Sequence, residues 1–249
     1  MVLAIMLAVA FSLLGAADLQ AGECNAYAVE VATSPVPYQY PHGLEKAALL
    51  LAKVPARADT ILIGDSLVEF WPKDVVIRQF KSESVWNIGV GGAETQTVLW
   101  QLERIDAPSV APKRLLVLIG TNNLTHDYLP ACAIAAGIKT VVTAAHAKWP
   151  AARVDIMGIP PRGADFRFRD ADRLSVNAEI RNWSGQYPFM HYFEVDASEM
   201  TCGRYGDAVE VAAAGAEVAT GSRCENYADD FGHFRRPGYD VVFAAMTKH

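Results

Sequence analysis

Apolar residues of this chain gather in five short runs, separated by longer stretches in which apolar residues recur at helical spacing. The runs are rich in Val, Ile and Leu, and they occupy residues 60–63, 85–88, 115–119, 154–157 and 192–195. The third run is apolar at every position, which is typical of a central parallel strand covered by helices on both faces. The pattern therefore predicts five buried β-strands.

The stretches between these runs predict helices at residues 44–53, 95–104, 131–148, 172–186 and 237–248, the third of which is stopped by Pro150. Strands that alternate with helices indicate an α/β fold, a doubly wound parallel sheet with right-handed crossovers. Two segments break the rhythm. Residues 21–42 contain several Pro and Tyr and are predicted to be irregular, and the Gly-containing residues 197–229 are predicted to form a surface insertion.

Composition narrows the class of protein. The chain has 249 residues, of which 51% are hydrophobic and 20% charged, so a folded domain is expected rather than disorder. The net charge is −6 and no basic run is present. Nucleic acid is therefore not expected as a partner, because no run of Lys and Arg is present to replace the counterions of its phosphates.

Residues 2–17 form an uncharged apolar stretch that has the length of a secretory signal core and is short for a membrane span. We expect residues 1–21 to be a signal peptide and residues 22–249 to be a single domain, secreted or periplasmic, with no stable membrane span after cleavage. No Lys or Arg precedes the stretch. A retained anchor and a buried helix therefore stay open as alternatives.

The four cysteines are Cys24, Cys132, Cys202 and Cys224, and none of them forms a C-x-x-C pair. An even number of cysteines in an exported chain favours disulfides over zinc ligation. A Cys202–Cys224 bridge would staple the 197–229 insertion and leave Cys24 to pair with Cys132. All three pairings remain possible from the sequence.

Chemically useful residues follow the predicted strands. Ser66 comes just after the first strand, Gly92 after the second and Asn122 after the third, while Asp230 and His233 lie near the C-terminus. The carboxyl ends of parallel strands meet at one edge of the sheet. Ser66 taken alone would be interpreted as a helix cap. Together, these residues supply the hydroxyl, base, orienting acid and N–H donors that acyl transfer requires.

Spacing assigns a role to each of these residues. Asp230 precedes His233 by three positions, so its carboxylate can reach the Nδ1–H of the imidazole and leave Nε2 facing the hydroxyl. The amides of Ser66 and Gly92 and the side chain of Asn122 are the expected oxyanion donors. Two rivals stay open, which are Asp229 for the orienting acid and Gly91 for the glycine donor.

No cofactor or metal is expected. The glycines at 89, 91 and 92 superficially suggest a dinucleotide-binding loop. That loop would need a further glycine at position 94, where this chain has Glu94. The remaining histidines show no metal-ligand spacing, and they are His42, His126, His146, His191 and His249. Arg162, after the fourth strand, is expected at the same edge of the sheet and is a candidate contact for substrate.

The set Ser66, Gly92, Asn122 and His233, with Asp230 as the third triad member, resembles the four sequence blocks of the SGNH-hydrolase superfamily of GDSL esterases and lipases. The stretches at 92–102 and 120–123 are most similar to the platelet-activating-factor acetylhydrolase catalytic-subunit type. The resemblance spans residues 60–239. It implies a flavodoxin-like three-layer α/β/α sandwich with a five-stranded parallel sheet in the order 2-1-3-4-5, and ester hydrolysis without a metal.

We therefore expect a serine-dependent ester hydrolase that works through an acyl-enzyme. Its expected substrates carry short acyl groups, such as acetyl esters of carbohydrates or of other small molecules. The alternatives are a lysophospholipase or thioesterase acting on longer acyl chains, and a non-catalytic carbohydrate- or lipid-binding module on the same fold.

Overall fold

The computed structural model describes residues 24–81, 83–126, 128–206 and 224–248. Their strands form one sheet in the order β2-β1-β3-β4-β5, and each neighbouring pair is parallel. The strands are β1 (Thr60–Gly64), β2 (Val85–Asn87), β3 (Arg114–Leu118), β4 (Arg153–Met157) and β5 (Met190–Phe193). All five predicted strands are confirmed, the last of them displaced by two residues.

Helices cover both faces of the sheet. They are α1 (Ala26–Thr33), α2 (Pro41–Ala52), α3 (Ser66–Glu69), α4 (Lys73–Phe80), α5 (Thr95–Arg104), α6 (Ala131–Lys148), α7 (Asp170–Ser184), α8 (Ala197–Met200) and α9 (Arg236–Thr247), with one 3-10 turn at Asn123–Thr125. One face packs against α1, α2, α5, α6 and α7, and the other against α3, α4, α8 and α9. The three-layer α/β/α sandwich is therefore confirmed.

The central strands divide their side chains between two cores. Ile61 and Ile63 of β1 belong to the core on the α6 side, while Leu62 between them belongs to the core on the α9 side. Leu115 and Leu116 of β3 diverge in the same way. Alternation of side chains along a strand explains why a central strand must be apolar at every position.

The segment 21–42 is not wholly irregular, and that prediction was wrong. Helix α1 begins after Asn25, whose side chain accepts a hydrogen bond from the amide of Tyr27 at 2.9 Å. Ala28 and Ala32 are buried against the main core. The helix depends on this long-range packing, which the local sequence pattern does not reveal.

The structure selects one of the three cysteine pairings that the sequence left open. Cys24 is joined to Cys132 at the start of α6, and Cys202 is joined to Cys224. The second bridge flanks residues 207–223, so much of the expected 197–229 insertion lies outside the described residues. The expected signal peptide at 1–21 also lies outside them. None of the helices within the described ranges has the length and apolar character of a membrane span.

Gly64 closes β1 at the point where the chain turns toward Ser66. A Cβ atom on Gly64 would lie 2.0 Å from the carbonyl oxygen of Leu118 and 2.6 Å from the Val68 side chain. The neighbouring strand and helix therefore approach each other more closely than any side chain at this position allows.

We predict that Gly64→Ala destabilises the fold by about 3 kcal/mol or more, because the sheet must move to relieve the clash. Gly185→Ala is the matched control, since its Cβ would meet only the Asn182 carbonyl oxygen at 4.0 Å. We expect the control to be neutral or slightly stabilising. Urea unfolding measures both, and equal effects of the two substitutions would contradict the close approach at Gly64.

Candidate active site

Ser66 opens helix α3 immediately after strand β1, at the carboxyl edge of the sheet. Asp65 is the N-cap of this helix, and its Oδ1 accepts a hydrogen bond from the amide of Leu67 at 2.9 Å. The abrupt change from strand to helix turns the Ser66 side chain toward this carboxyl edge of the sheet, which we call the rim. Ser66 is only 8% exposed overall.

A loop before α9 brings His233 to the same rim. The amide of Ala228 donates to the carbonyl oxygen of His233 at 2.8 Å, which closes the loop on itself. The buried hydroxyl of Tyr227 donates to the carbonyl oxygen of Pro161 at 2.5 Å and ties the loop to the segment after β4. These bonds fix the position of the imidazole relative to the sheet.

Three of the predicted side chains form one chain of hydrogen bonds. Nε2 of His233 lies 2.9 Å from Oγ of Ser66, and Nδ1 of His233 lies 2.5 Å from Oδ2 of Asp230. The other oxygen of Asp230 accepts the amides of Gly232 and His233 at 3.0 Å and 2.9 Å. The carboxylate is thereby fixed to the loop that carries the imidazole.

Electrostatics keep Asp230 ionised. Burial alone would raise the pKa of this carboxyl, but its hydrogen bonds to His233 and Gly232 outweigh burial and lower the pKa to about 2. The rival Asp229 instead forms an ion pair with Arg235 at 2.7 Å. The aspartate that bonds the imidazole is Asp230.

The glycine loop comprises residues 89–92, after β2, and its two last backbone N–H groups differ in their partners. The N–H of Gly91 is engaged by Oε2 of Glu69 at 2.5 Å. Among the described residues, the N–H groups of Ser66 and Gly92 donate to no acceptor. Gly92 has a φ of +71°, which a residue with a Cβ adopts only under strain. The amides of Ser66 and Gly92 are therefore available to a ligand.

Two asparagines follow β3, and their side chains form hydrogen bonds with different partners. Nδ2 of Asn122 donates to the carbonyl oxygen of Ala93 at 2.9 Å, which leaves its second N–H for another acceptor. Asn123 is fully buried, and its Oδ1 accepts the amide of Thr95 at 3.1 Å at the start of α5. Asn123 thus ties the loop after β3 to the glycine loop, while Asn122 remains at the rim.

Asp65 carries a second oxygen, Oδ2, that is buried and has no hydrogen-bond partner among the described groups. Burial raises the pKa of this carboxyl to about 7, against smaller opposing effects of the Leu67 amide, His233 and Arg162. A carboxyl in this environment is easily kept neutral and differs sharply from Asp230.

Arg162 lies at the same edge, as expected. Its Nη1 donates to the carbonyl oxygen and hydroxyl of Thr121 at 3.0 Å and 3.1 Å, and its guanidinium lies 4.9 Å from the ring centroid of Phe168. These contacts account for one nitrogen and one face of the guanidinium.

Three residues near the site were not predicted. The ring of Phe70 lies 5.4 Å from the imidazole of His233, Glu69 binds Gly91, and the hydroxyl of Tyr40 donates to the carbonyl oxygen of Gly91. The positions of Glu69 and Phe70, one helical turn after the serine, were a usable signal. Tyr40 had none, because its contact spans 51 positions.

The described residues contain no group of three or more His, Cys, Asp or Glu side chains that could hold a metal ion.

A parallel α/β sheet that unites Ser66, Gly92, Asn122 and His233 at its carboxyl edge has the features of an SGNH hydrolase. The GDSL-like Lipase/Acylhydrolase family matches residues 62–241, and the chain belongs to this family. Platelet-activating factor acetylhydrolase IB subunit alpha1 from Rattus norvegicus is 35% identical over 139 residues. That match covers 55% of this chain and 59% of the rat protein.

Solved structures share the fold. A GDSL-like lipase from Bacteroides thetaiotaomicron has a TM-score of 0.55 at 18% identity, covering 82% of this chain and 92% of that one. A carbohydrate esterase family 2 enzyme with a carbohydrate binding domain, from Corynascus thermopiles, has a TM-score of 0.51 at 13% identity. That match covers 79% of this chain and 67% of the other. At these identities the likeness extends to the fold alone.

The buried Asp65 predicts a pH-dependent stability. Its folded pKa of about 7 lies above its unfolded value near 3.9, so the stability that it contributes when protonated is complete below about pH 4 and is lost as the pH rises through about 7. Asp65→Asn stays neutral. We expect the variant to gain stability relative to the natural protein between pH 4 and 8, by on the order of 2–4 kcal/mol. Urea unfolding across this range measures the gain, and a difference independent of pH would contradict the burial effect.

Proposed function

We propose that this protein is a serine-dependent carboxylic ester hydrolase that works through an acyl-enzyme. The observation that carries the proposal is the unbroken chain from Oγ of Ser66 through the imidazole of His233 to Asp230, with spans of 2.9 Å and 2.5 Å. Unengaged N–H groups at Ser66 and Gly92 lie in the adjoining loops. Acyl transfer needs these groups together.

In the first half-reaction, Oγ of Ser66 attacks the ester carbonyl while Nε2 of His233 accepts the hydroxyl proton. Asp230 stabilises the imidazolium that forms. The developing oxyanion accepts hydrogen bonds from the amides of Ser66 and Gly92 and from Nδ2 of Asn122. Collapse of the tetrahedral intermediate breaks the C–O bond of the ester, and the imidazolium returns its proton to the departing alcohol.

In the second half-reaction, water replaces the alcohol. Nε2 of His233 accepts a proton from the water as its oxygen attacks the acyl carbonyl, and the same donors bind the second oxyanion. Collapse then releases the carboxylic acid, and His233 returns the proton to Oγ of Ser66.

Short acyl groups are the substrates that the rim favours. Asp65 and Leu67, on either side of Ser66 in the chain, line with Thr121 a cavity of only about 10 Å³, which is room for about one water molecule. The side chains of His233 and Asp230 are 40% and 52% exposed, so a bulky alcohol portion can approach from outside. Acetyl esters of carbohydrates fit this combination, and the rat relative, which is named an acetylhydrolase, supports a short acyl group.

A second candidate activity is the hydrolysis of longer acyl chains, as by a lysophospholipase or thioesterase. Phe70 and Phe168 are 51% and 39% exposed near the rim. Such rings offer an apolar surface along which a chain of methylene groups can lie. This candidate requires the acyl chain to lie across the rim, because the cavity beside Asp65 and Leu67 cannot hold it.

We further propose that the protein works outside the cytoplasm, in a secreted or periplasmic location. The two disulfides support this proposal, because such bonds persist in oxidising compartments.

We predict that Ser66→Ala lowers the hydrolysis of 4-nitrophenyl acetate by at least about 10³-fold, because no other group replaces the nucleophile. Ser184→Ala is the matched control, since Ser184 is also buried but bonds the Arg181 carbonyl oxygen on α7, away from the rim. The control should keep full activity. Equal rates in the natural protein and Ser66→Ala would refute the proposal and favour a non-catalytic binding module.

A chain-length series separates the two candidate activities. We expect kcat/KM for 4-nitrophenyl esters to be highest for acetate and to fall at least about 10-fold by octanoate, because the small cavity beside Asp65 and Leu67 gives a longer acyl chain no buried space to enter. A maximum at eight carbons or beyond would instead establish the long-chain activity.

A further inference from the structure

Side chains hold both polar groups of Gly91. Its N–H donates to Oε2 of Glu69 at 2.5 Å, and its carbonyl oxygen accepts the hydroxyl of Tyr40. The Gly91 carbonyl and the Gly92 N–H belong to one planar peptide unit and point in opposite directions. A group that fixes the carbonyl therefore also fixes the direction of the Gly92 N–H.

We propose that Tyr40 is a positioning residue for ester hydrolysis, and that its hydroxyl holds the Gly91–Gly92 peptide so that the Gly92 N–H meets the oxyanion of the transition state. The inference rests on the proposed function. It adds to the site a residue that lies outside the family match at 62–241.

The fit between Tyr40 and the glycine loop is close. A Cβ atom on Gly92 would lie 2.7 Å from the hydroxyl oxygen of Tyr40. Gly92 also has a φ of +71°. Glycine is therefore required here for two reasons, its backbone conformation and the space that the tyrosine hydroxyl occupies. Displacing the hydroxyl would leave the peptide free to rotate.

The hydroxyl also strengthens the donor that it positions. A hydrogen bond accepted by a peptide carbonyl polarises the peptide and makes the N–H of the same unit a better donor. Burial, together with the nearby carboxylates of Glu69 and Glu94, raises the pKa of Tyr40 to about 12. Tyr40 therefore remains a protonated donor throughout the neutral range.

The elements behind Tyr40 are themselves well supported. Tyr40 is the N-cap of α2, and its carbonyl oxygen accepts the amide of Leu44 at 3.2 Å. Lys46 of α2 lies 3.1 Å from the carboxylate of Glu69, whose side chain is 8% exposed. Helix α2 thus contributes to both bonds on Gly91. The segment that contains Tyr40 and α2 therefore stabilises the glycine loop.

The test is Tyr40→Phe, which keeps the ring and removes only the hydroxyl. We expect kcat for 4-nitrophenyl acetate to fall about 10-fold with KM unchanged, because the lost interaction matters only in the transition state. The rate of inactivation by a fluorophosphonate, which also develops negative charge on a bound oxygen, should fall by a similar factor. Rates are normalised to the fraction of protein that the fluorophosphonate finally labels.

Tyr38→Phe is the matched control. Its hydroxyl is buried in the same segment but donates to Oε1 of Gln101 at 2.8 Å, not to the glycine loop. We expect this variant to lose thermal stability and to keep the kcat of the natural protein. Tyr40→Phe should show the reverse pattern, with its melting temperature within about 2 °C of the natural protein.

The remaining outcomes contradict the proposal in distinguishable ways. The Tyr40 hydroxyl would have no role if kcat of Tyr40→Phe were unchanged. It would have a purely structural role if Tyr38→Phe lost as much kcat, or if the Tyr40→Phe chain did not fold. A natural protein that neither hydrolyses the ester nor reacts with the fluorophosphonate would instead overturn the proposed function, and the role of Tyr40 with it.

Discussion

The site depends on one contact between distant parts of the chain, in which the imidazole of His233 meets the hydroxyl of Ser66 across 167 positions. Strand β1 brings the serine to the carboxyl edge of the sheet, and the loop before α9 brings the histidine. The hydrogen bond from Tyr227 to the Pro161 carbonyl holds that loop against the segment after β4. Assembly of the site is therefore part of folding the sheet, since neither element alone places the two groups together.

The pKa values of two carboxyls near the serine are shifted in opposite directions. Burial with an unpartnered oxygen raises the pKa of Asp65 to about 7. Burial also acts on Asp230, but hydrogen bonds to His233 and Gly232 outweigh it and lower the pKa to about 2. Hydrogen bonds to the charged form thus decide which of the two carboxyls is readily ionised. Asp230 is an anion beside the imidazole of His233, and Asp65 caps the helix that begins at Ser66.

Much of this architecture was predictable because the strands are buried on both faces and leave strong apolar runs. Four helices were not predicted. Helices α3 and α8 have four residues each and α4 has eight, while α1 is stabilised by the buried Ala28 and Ala32. The residues at the strand ends were found because topology brings those ends together. The choice between Gly91 and Gly92, and the part played by Tyr40, depend on which amide a distant side chain engages, and no sequence spacing records that.

The most direct test of the account is peptide mass spectrometry of the protein after reaction with a fluorophosphonate. We predict a single adduct, located on Ser66, whose Oγ lies 2.9 Å from Nε2 of His233. An adduct on another residue, or no reaction by a folded protein at neutral pH, would contradict the claim that this hydroxyl is activated by that imidazole.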